Sequence, residues 1–151
     1  MADLSTVTIP YPAKTVQASA DVNGTPTTAT SISFSDKIMI TITQNGRLGQ
    51  WIQVPLLSDN PTDADPHFNI SRLSSEDALL PTSRFQPRTL LGAGGNEREM
   101  MGQLYASQIA SLITSKNAEE GRTLMLGLGL AKVEMERDVF LEMLDLVTKV
   151  L

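Results

Sequence analysis

Lys37-Ile38-Met39-Ile40-Thr41-Ile42-Thr43-Gln44, then Asn45-Gly46, then Arg47-Leu48-Gly49-Gln50-Trp51-Ile52-Gln53-Val54 is the stretch that decides the fold. Both flanking runs are rich in β-branched and aromatic residues, which suit a pleated, half-buried surface. Asn-Gly accepts positive φ at both central positions of a type I′ turn, so the stretch predicts a β-hairpin. A two-residue loop pairs Gln44 with Arg47, and continuing that ladder sets Ile42 against Gly49, Ile40 against Trp51 and Met39 against Ile52. One face then carries Ile38, Ile40, Ile42 and Trp51. The other carries Met39, Leu48, Ile52 and Val54 among Thr41, Thr43 and Gln50. A hairpin with one wet face alternates more cleanly than this, so both faces need a cover.

Working outward, Asn23-Gly24 predicts a second hairpin between Thr15 to Val22 and Thr25 to Phe34, with Pro26 confined to a strand end or edge. On the C-terminal side, Pro55 to Pro87 holds five of the eight prolines among Ser, Asp, Asn and Thr, the composition of a long mobile loop. Arg88-Thr89-Leu90-Leu91 reads as a short strand. Beyond Gly92-Ala93-Gly94-Gly95 a helix is expected, with Asn96 as N-cap, Glu99 completing a capping box, and an apolar face of Met101, Leu104, Tyr105, Ile109, Leu112 and Ile113. Thr123 to Leu130 alternates leucine with Met125, Gly127 and Gly129. That pattern predicts a central strand whose glycines admit a close neighbour. Glu134 to Leu151 is a second amphipathic helix, with Val139, Phe140, Met143, Leu144, Val147, Val150 and Leu151 on one stripe. Strands first, then strand, helix, strand, helix, predicts one α+β domain spanning residues 1–151. Its sheet is antiparallel or mixed, of about six strands, with two main helices on one face.

Composition narrows the function. With 12 basic and 17 acidic residues the net charge is −5, and no basic cluster exists to neutralise a nucleic-acid backbone. The chain has no cysteine, which removes disulfides, thiolate metal sites and cysteine nucleophiles. No run approaches a membrane span, and Met1-Ala2-Asp3-Leu4-Ser5 does not open a secretory signal, so the expectation is a cytoplasmic protein, with the nucleus allowed. Asn23-Gly24-Thr25 and Asn69-Ile70-Ser71 match the glycosylation sequon without consequence in that setting.

Candidate chemistry fails on detail. Gly92 to Gly95 lacks the Gly-Lys-Ser/Thr of a phosphate loop, and Glu97 and Glu99 would repel an anion there. His67 is the only histidine; with Asp63 and Asp65 it superficially resembles a ligand set, but Pro66 and a polar loop provide no rigid element to hold one. The expectation is no enzyme, no cofactor and no metal. The seven methionines, several in the helical half, read either as core filler or as an adaptable binding surface.

Thr43-Gln44-Asn45-Gly46-Arg47-Leu48-Gly49, preceded by Ile38 to Ile42, resembles the hairpin of the proteasome assembly chaperone 3 family. Leu90-Leu91-Gly92, the helix from Glu97 to Ser115, the strand from Leu124 to Leu130 and the closing helix follow the same order and spacing. Relative to the shorter animal members, this chain has an extended N-terminal strand region and the Pro55 to Pro87 loop. The resemblance implies a non-enzymatic dimer that helps build the α-subunit ring of the 20S proteasome. It pairs with itself or with a partner like proteasome assembly chaperone 4, and it contacts α-type subunits. Under that reading the helices cover one sheet face and the partner covers the other, with Met39, Thr41, Leu48, Gln50 and Ile52 expected at the pairing surface. The competing expectation is a small profilin-like or roadblock-like adaptor that scaffolds a trafficking or signalling complex.

Overall fold

Over residues 13–56, 85–92, 95–133 and 136–151, which the computed structural model describes, eight elements follow one another. They are β1 (Lys14–Val22), β2 (Thr25–Ser33), β3 (Lys37–Gln44), β4 (Gln50–Pro55), β5 (Arg88–Leu91), α1 (Asn96–Lys116), β6 (Thr123–Gly129) and α2 (Arg137–Thr148). Most of the expected loop between Pro55 and Pro87, with His67 and Asn69, lies outside the described residues, as does Glu134.

Both Asn-Gly pairs adopt the left-handed conformation that a type I′ turn needs, with φ of 50° and 78° at Asn23 and Gly24 and 60° and 68° at Asn45 and Gly46. The first turn joins β1 to β2 in one unbroken antiparallel ladder. Pro26 sits beside that turn, one residue before β2 begins to pair with β3 at Thr27, so its missing N–H costs no ladder bond.

The second turn closes only the Gln44–Arg47 bridge. The expected ladder between β3 and β4 does not form, because β6 enters between them. The sheet order is β1-β2-β3-β6-β4-β5. β6 runs parallel to β3 and antiparallel to β4. A strand as apolar as Thr-Leu-Met-Leu-Gly-Leu-Gly is poorly suited to an edge, and the centre of the sheet bonds its backbone on both sides. The insertion changes which residues share a face. Ile40 pairs with Leu126, which pairs with Ile52, so these three point the same way. Met39 pairs with Met125, which pairs with Gln53, so Met39 shares the face of Trp51 instead of opposing it.

Both helices pack on the face of Ile38, Ile40, Ile42, Ile52, Val54, Leu124, Leu126 and Leu128, all buried. The buried side of α1 includes Met101, Gly102, Tyr105, Ala106, Ile109, Ala110 and Ile113. Leu104, expected in that face, is 40% exposed, and small residues take its place. The reason is close approach: a Cβ added at Gly102 would lie 2.7 Å from Ile52 Cδ1 and 2.9 Å from Gln50 Nε2. In α2, Leu146 is buried with Val150 against Ala29, alongside Val16, Ala18 and Ala20 of β1. Tyr105 and Phe140 join the two helices, their ring centroids 4.7 Å apart. α1 begins one residue earlier than expected. Gly95, at φ 99°, is the N-cap; no side-chain capping bond forms, and Glu99 N donates to the Gly95 carbonyl at 3.0 Å.

One polar contact pins α1 to the sheet. Gln50, almost fully buried, donates from Nε2 to the Arg98 carbonyl at 3.0 Å. Gln50→Ala removes that hydrogen bond and opens a void, so chemical denaturation is expected to report a loss of about 1–3 kcal/mol.

Candidate partner interface

No helix among the described residues covers the second face of the sheet, whose residues follow from the register. One row crosses the strands as Ile32, Met39, Met125 and Gln53; the next crosses as Thr30, Thr41, Gly127, Trp51 and Leu91. The apolar members lie at the centre and toward β5. On the β1 side the face turns polar, with Gln17 Nε2 donating to Thr30 Oγ1 at 3.3 Å and Ser19 Oγ 3.0 Å from Thr28 Oγ1.

Glycine shapes the middle of this surface. A Cβ at Gly127 would stand 3.0 Å from both Cη2 and Cζ3 of Trp51 and 3.3 Å from Leu48 Cδ2. The indole therefore lies across the glycine, with Leu48 beside it. Trp51 and Met39 are only half-buried, Leu48 is 43% exposed and Leu91 67% exposed. An apolar centre built on tryptophan and methionine with a hydroxyl-lined margin is the composition of a protein-binding surface.

At one end of the sheet an ion pair ties the elements together. Arg122 Nε donates to Glu120 Oε1 at 2.7 Å, and its Nη1 donates to Ser33 Oγ at 2.7 Å and to the Phe34 carbonyl at 2.9 Å. The hydrogen bond from Arg122 holds the Glu120 carboxyl below its usual range and raises the guanidinium pKa in turn. A carboxyl depressed in the folded state contributes stability above its unfolded pKa and loses it as pH falls through the folded value. Glu120→Gln is therefore expected to lower stability at neutral pH by less than about 1 kcal/mol. The gap from the parent protein should close as pH drops below the carboxylate range, as paired thermal melts would show.

Met39 and Thr41, two of the five residues expected at the pairing surface, lie on this open face, and Leu48 lies beside Trp51. Gln50 and Ile52 are 1% and 0% exposed beneath α1, because the inserted β6 puts them on the helix side. Sequence reasoning left out Trp51 and Met125. For Trp51 the signal was the glycine at 127, whose missing side chain makes room for a large neighbour. Gly92, at φ 76°, serves packing too: an added Cβ would lie 1.7 Å from the Gly49 carbonyl oxygen. Among the described residues no helix is long and apolar enough to cross a membrane.

The sequence profile of the family described as proteasome assembly chaperone 3 matches residues 40–150. No curated protein matches the chain. Among solved structures, a chain from the crystal structure of a novel chaperone complex for yeast 20S proteasome assembly superposes with a TM-score of 0.57. It is 16% identical, and the match covers 91% of this chain and 97% of that one. At that identity the likeness is one of fold.

Proposed function

The chain belongs to the proteasome assembly chaperone 3 family, and from that premise we propose that it is a non-enzymatic chaperone promoting assembly of the 20S proteasome α-subunit ring. It works in the cytoplasm or nucleus as a dimer, with a partner like proteasome assembly chaperone 4 or with a second copy, and binds α-type subunits transiently. The observation that carries this reading is the open face. A mixed sheet covered by helices on one side presents Met39, Trp51, Met125 and Leu48 on the other, and a partner's sheet would bury them. Of the residues expected there from sequence, Met39, Thr41 and Leu48 are assigned to the pairing surface. Gln50 and Ile52 support it from beneath.

The dimer would template ring assembly by holding α-type subunits in their correct neighbour contacts and leaving as the ring matures. Such work needs specific but reversible binding, which suits an interface of roughly 1,200–2,000 Å² with a polar rim.

The test is light scattering after size exclusion, on the chain alone and co-expressed with a partner like proteasome assembly chaperone 4, followed by capture of α-type subunits on the complex. A one-to-one complex or a homodimer that retains α-type subunits supports the reading. A monomer indifferent to that partner, retaining no α-type subunit, would overturn it and bring the adaptor forward.

A further inference from the structure

The two edges of the sheet differ in kind. β5 is four residues long, and its register against β4 slips between Trp51 and Ile52. Short, irregular edges discourage further pairing. β1, at the opposite edge, is nine residues long and pairs with β2 in continuous register from Lys14 to Val22. It contains no proline, and its only charges are Lys14 and Asp21, near its two ends.

Hydrogen-bond direction follows from the turn. Val22 and Thr25 flank the two-residue loop and so exchange bonds with each other. Alternation then directs the N–H and C=O groups of Lys14, Val16, Ala18, Ala20 and Val22 toward β2. Those of Thr15, Gln17, Ser19 and Asp21 point away from the sheet. All four of these residues are exposed, and among the described elements β2 is the only neighbour of β1.

We propose that the β1 edge pairs antiparallel with β1 of a second copy of this chain, joining two six-stranded sheets into one. The occupant is identified by charge. The Lys14 end of β1 borders a cleft of about 380 Å³ whose lining includes Lys116 and Arg122, the latter paired with Glu120. The Val22 end borders a cleft of about 420 Å³ lined by Asp21, Glu142 and Asp145, with Lys149 3.8 Å from Asp145. An antiparallel twofold centred on Ala18 brings the basic end of each copy to the acidic end of the other. It also matches outward-bonding residues with one another, Thr15 with Asp21 and Gln17 with Ser19. A parallel neighbour of the same chain would set like ends together. This inference stands apart from the chaperone reading, since it uses the backbone of the β1 edge, whereas that reading uses the apolar centre of the open face.

The test is Ser19→Pro, measured by light scattering on the full chain over a concentration series, in whichever partnered state the protein is purified. Proline there removes an outward N–H and the Ser19 Oγ–Thr28 Oγ1 contact but leaves the backbone bonds to β2 in place. Wild type is expected to reach twice the mass of the variant at high concentration. Amide exchange at Gln17 and Ser19 is expected to slow over the same range. Exchange at Val16, Ala18 and Ala20 reports whether the variant keeps its β1–β2 ladder. Equal masses, with fast exchange at Gln17 and Ser19 at every concentration, would overturn the proposal. So would slow exchange at those amides without a rise in mass, which would assign the edge to some other segment.

Discussion

Gly129→Ala is expected to destabilise the protein by more than about 3 kcal/mol, at or beyond the usual cost of overpacking. For a chain of this size that is a fall in Tm of roughly 6–12 °C. The added Cβ would lie 1.4 Å from the Arg47 carbonyl oxygen and 2.5 Å from its carbon. Both are backbone atoms, so no rotamer change relieves the clash; either the end of β6 or the strand leaving the Asn45-Gly46 turn must move. Those segments meet where β3 and β4 splay to admit β6, and Gly49 N donates to the Leu128 carbonyl at 2.8 Å beside the contact. Gly46→Ala is the control. Its Cβ would meet nothing within 4 Å, and only the φ of 68° resists it, so its cost should be about 1 kcal/mol. Urea or thermal unfolding of the two variants separates packing from backbone strain. Equal costs would mean that β6 does not pass under Arg47 as described.

That crossing also marks where the sequence stops being legible. Local signals were sufficient for the strands, both Asn-Gly turns, the two helices and the large-small alternation of β6, because each depends on neighbours a few residues away. The pairing of β3 with β4 was extrapolated from their turn, and the turn governs only the first rung, Gln44 with Arg47. What displaced the remaining rungs was a strand some 70 residues downstream that needed a bonded neighbour on each side. The same displacement put Gln50 and Ile52 beneath α1 and brought Trp51 onto the open face. The α1 face was misread for a different reason. Periodicity weighs large apolar residues, whereas Gly102, Ala106 and Ala110 are buried because they let the helix come close to β4. The capping box failed because Gly95 could take a φ of 99° and start the helix one residue before a side chain was available to cap it.

The open face can be tested at its centre. Trp51→Ser is expected to weaken binding to the proposed dimer partner by about 100-fold or more, equivalent to about 2.7 kcal/mol, which is the scale of a tryptophan hot spot. The indole is half-buried already, held across Gly127 with Leu48 alongside, so its outer surface is positioned before any partner arrives. Pre-positioned aromatic area loses little side-chain entropy on binding and therefore contributes more than its size suggests. Leu141→Ser is the control, because Leu141 is 49% exposed on α2, on the helix side of the sheet; partner affinity should not change. Gly127→Ala keeps the tryptophan but sets a methyl 3.0 Å from its ring, which must lift. That variant should bind about tenfold more weakly, a cost of about 1.4 kcal/mol. Titration calorimetry or interferometry against the partner ranks the three. If Trp51→Ser and Gly127→Ala both bind as tightly as the parent, the pairing surface lies elsewhere. If Gly127→Ala weakens binding while its Tm stays near the parent value, the loss belongs to the shape of the open face and not to a damaged fold.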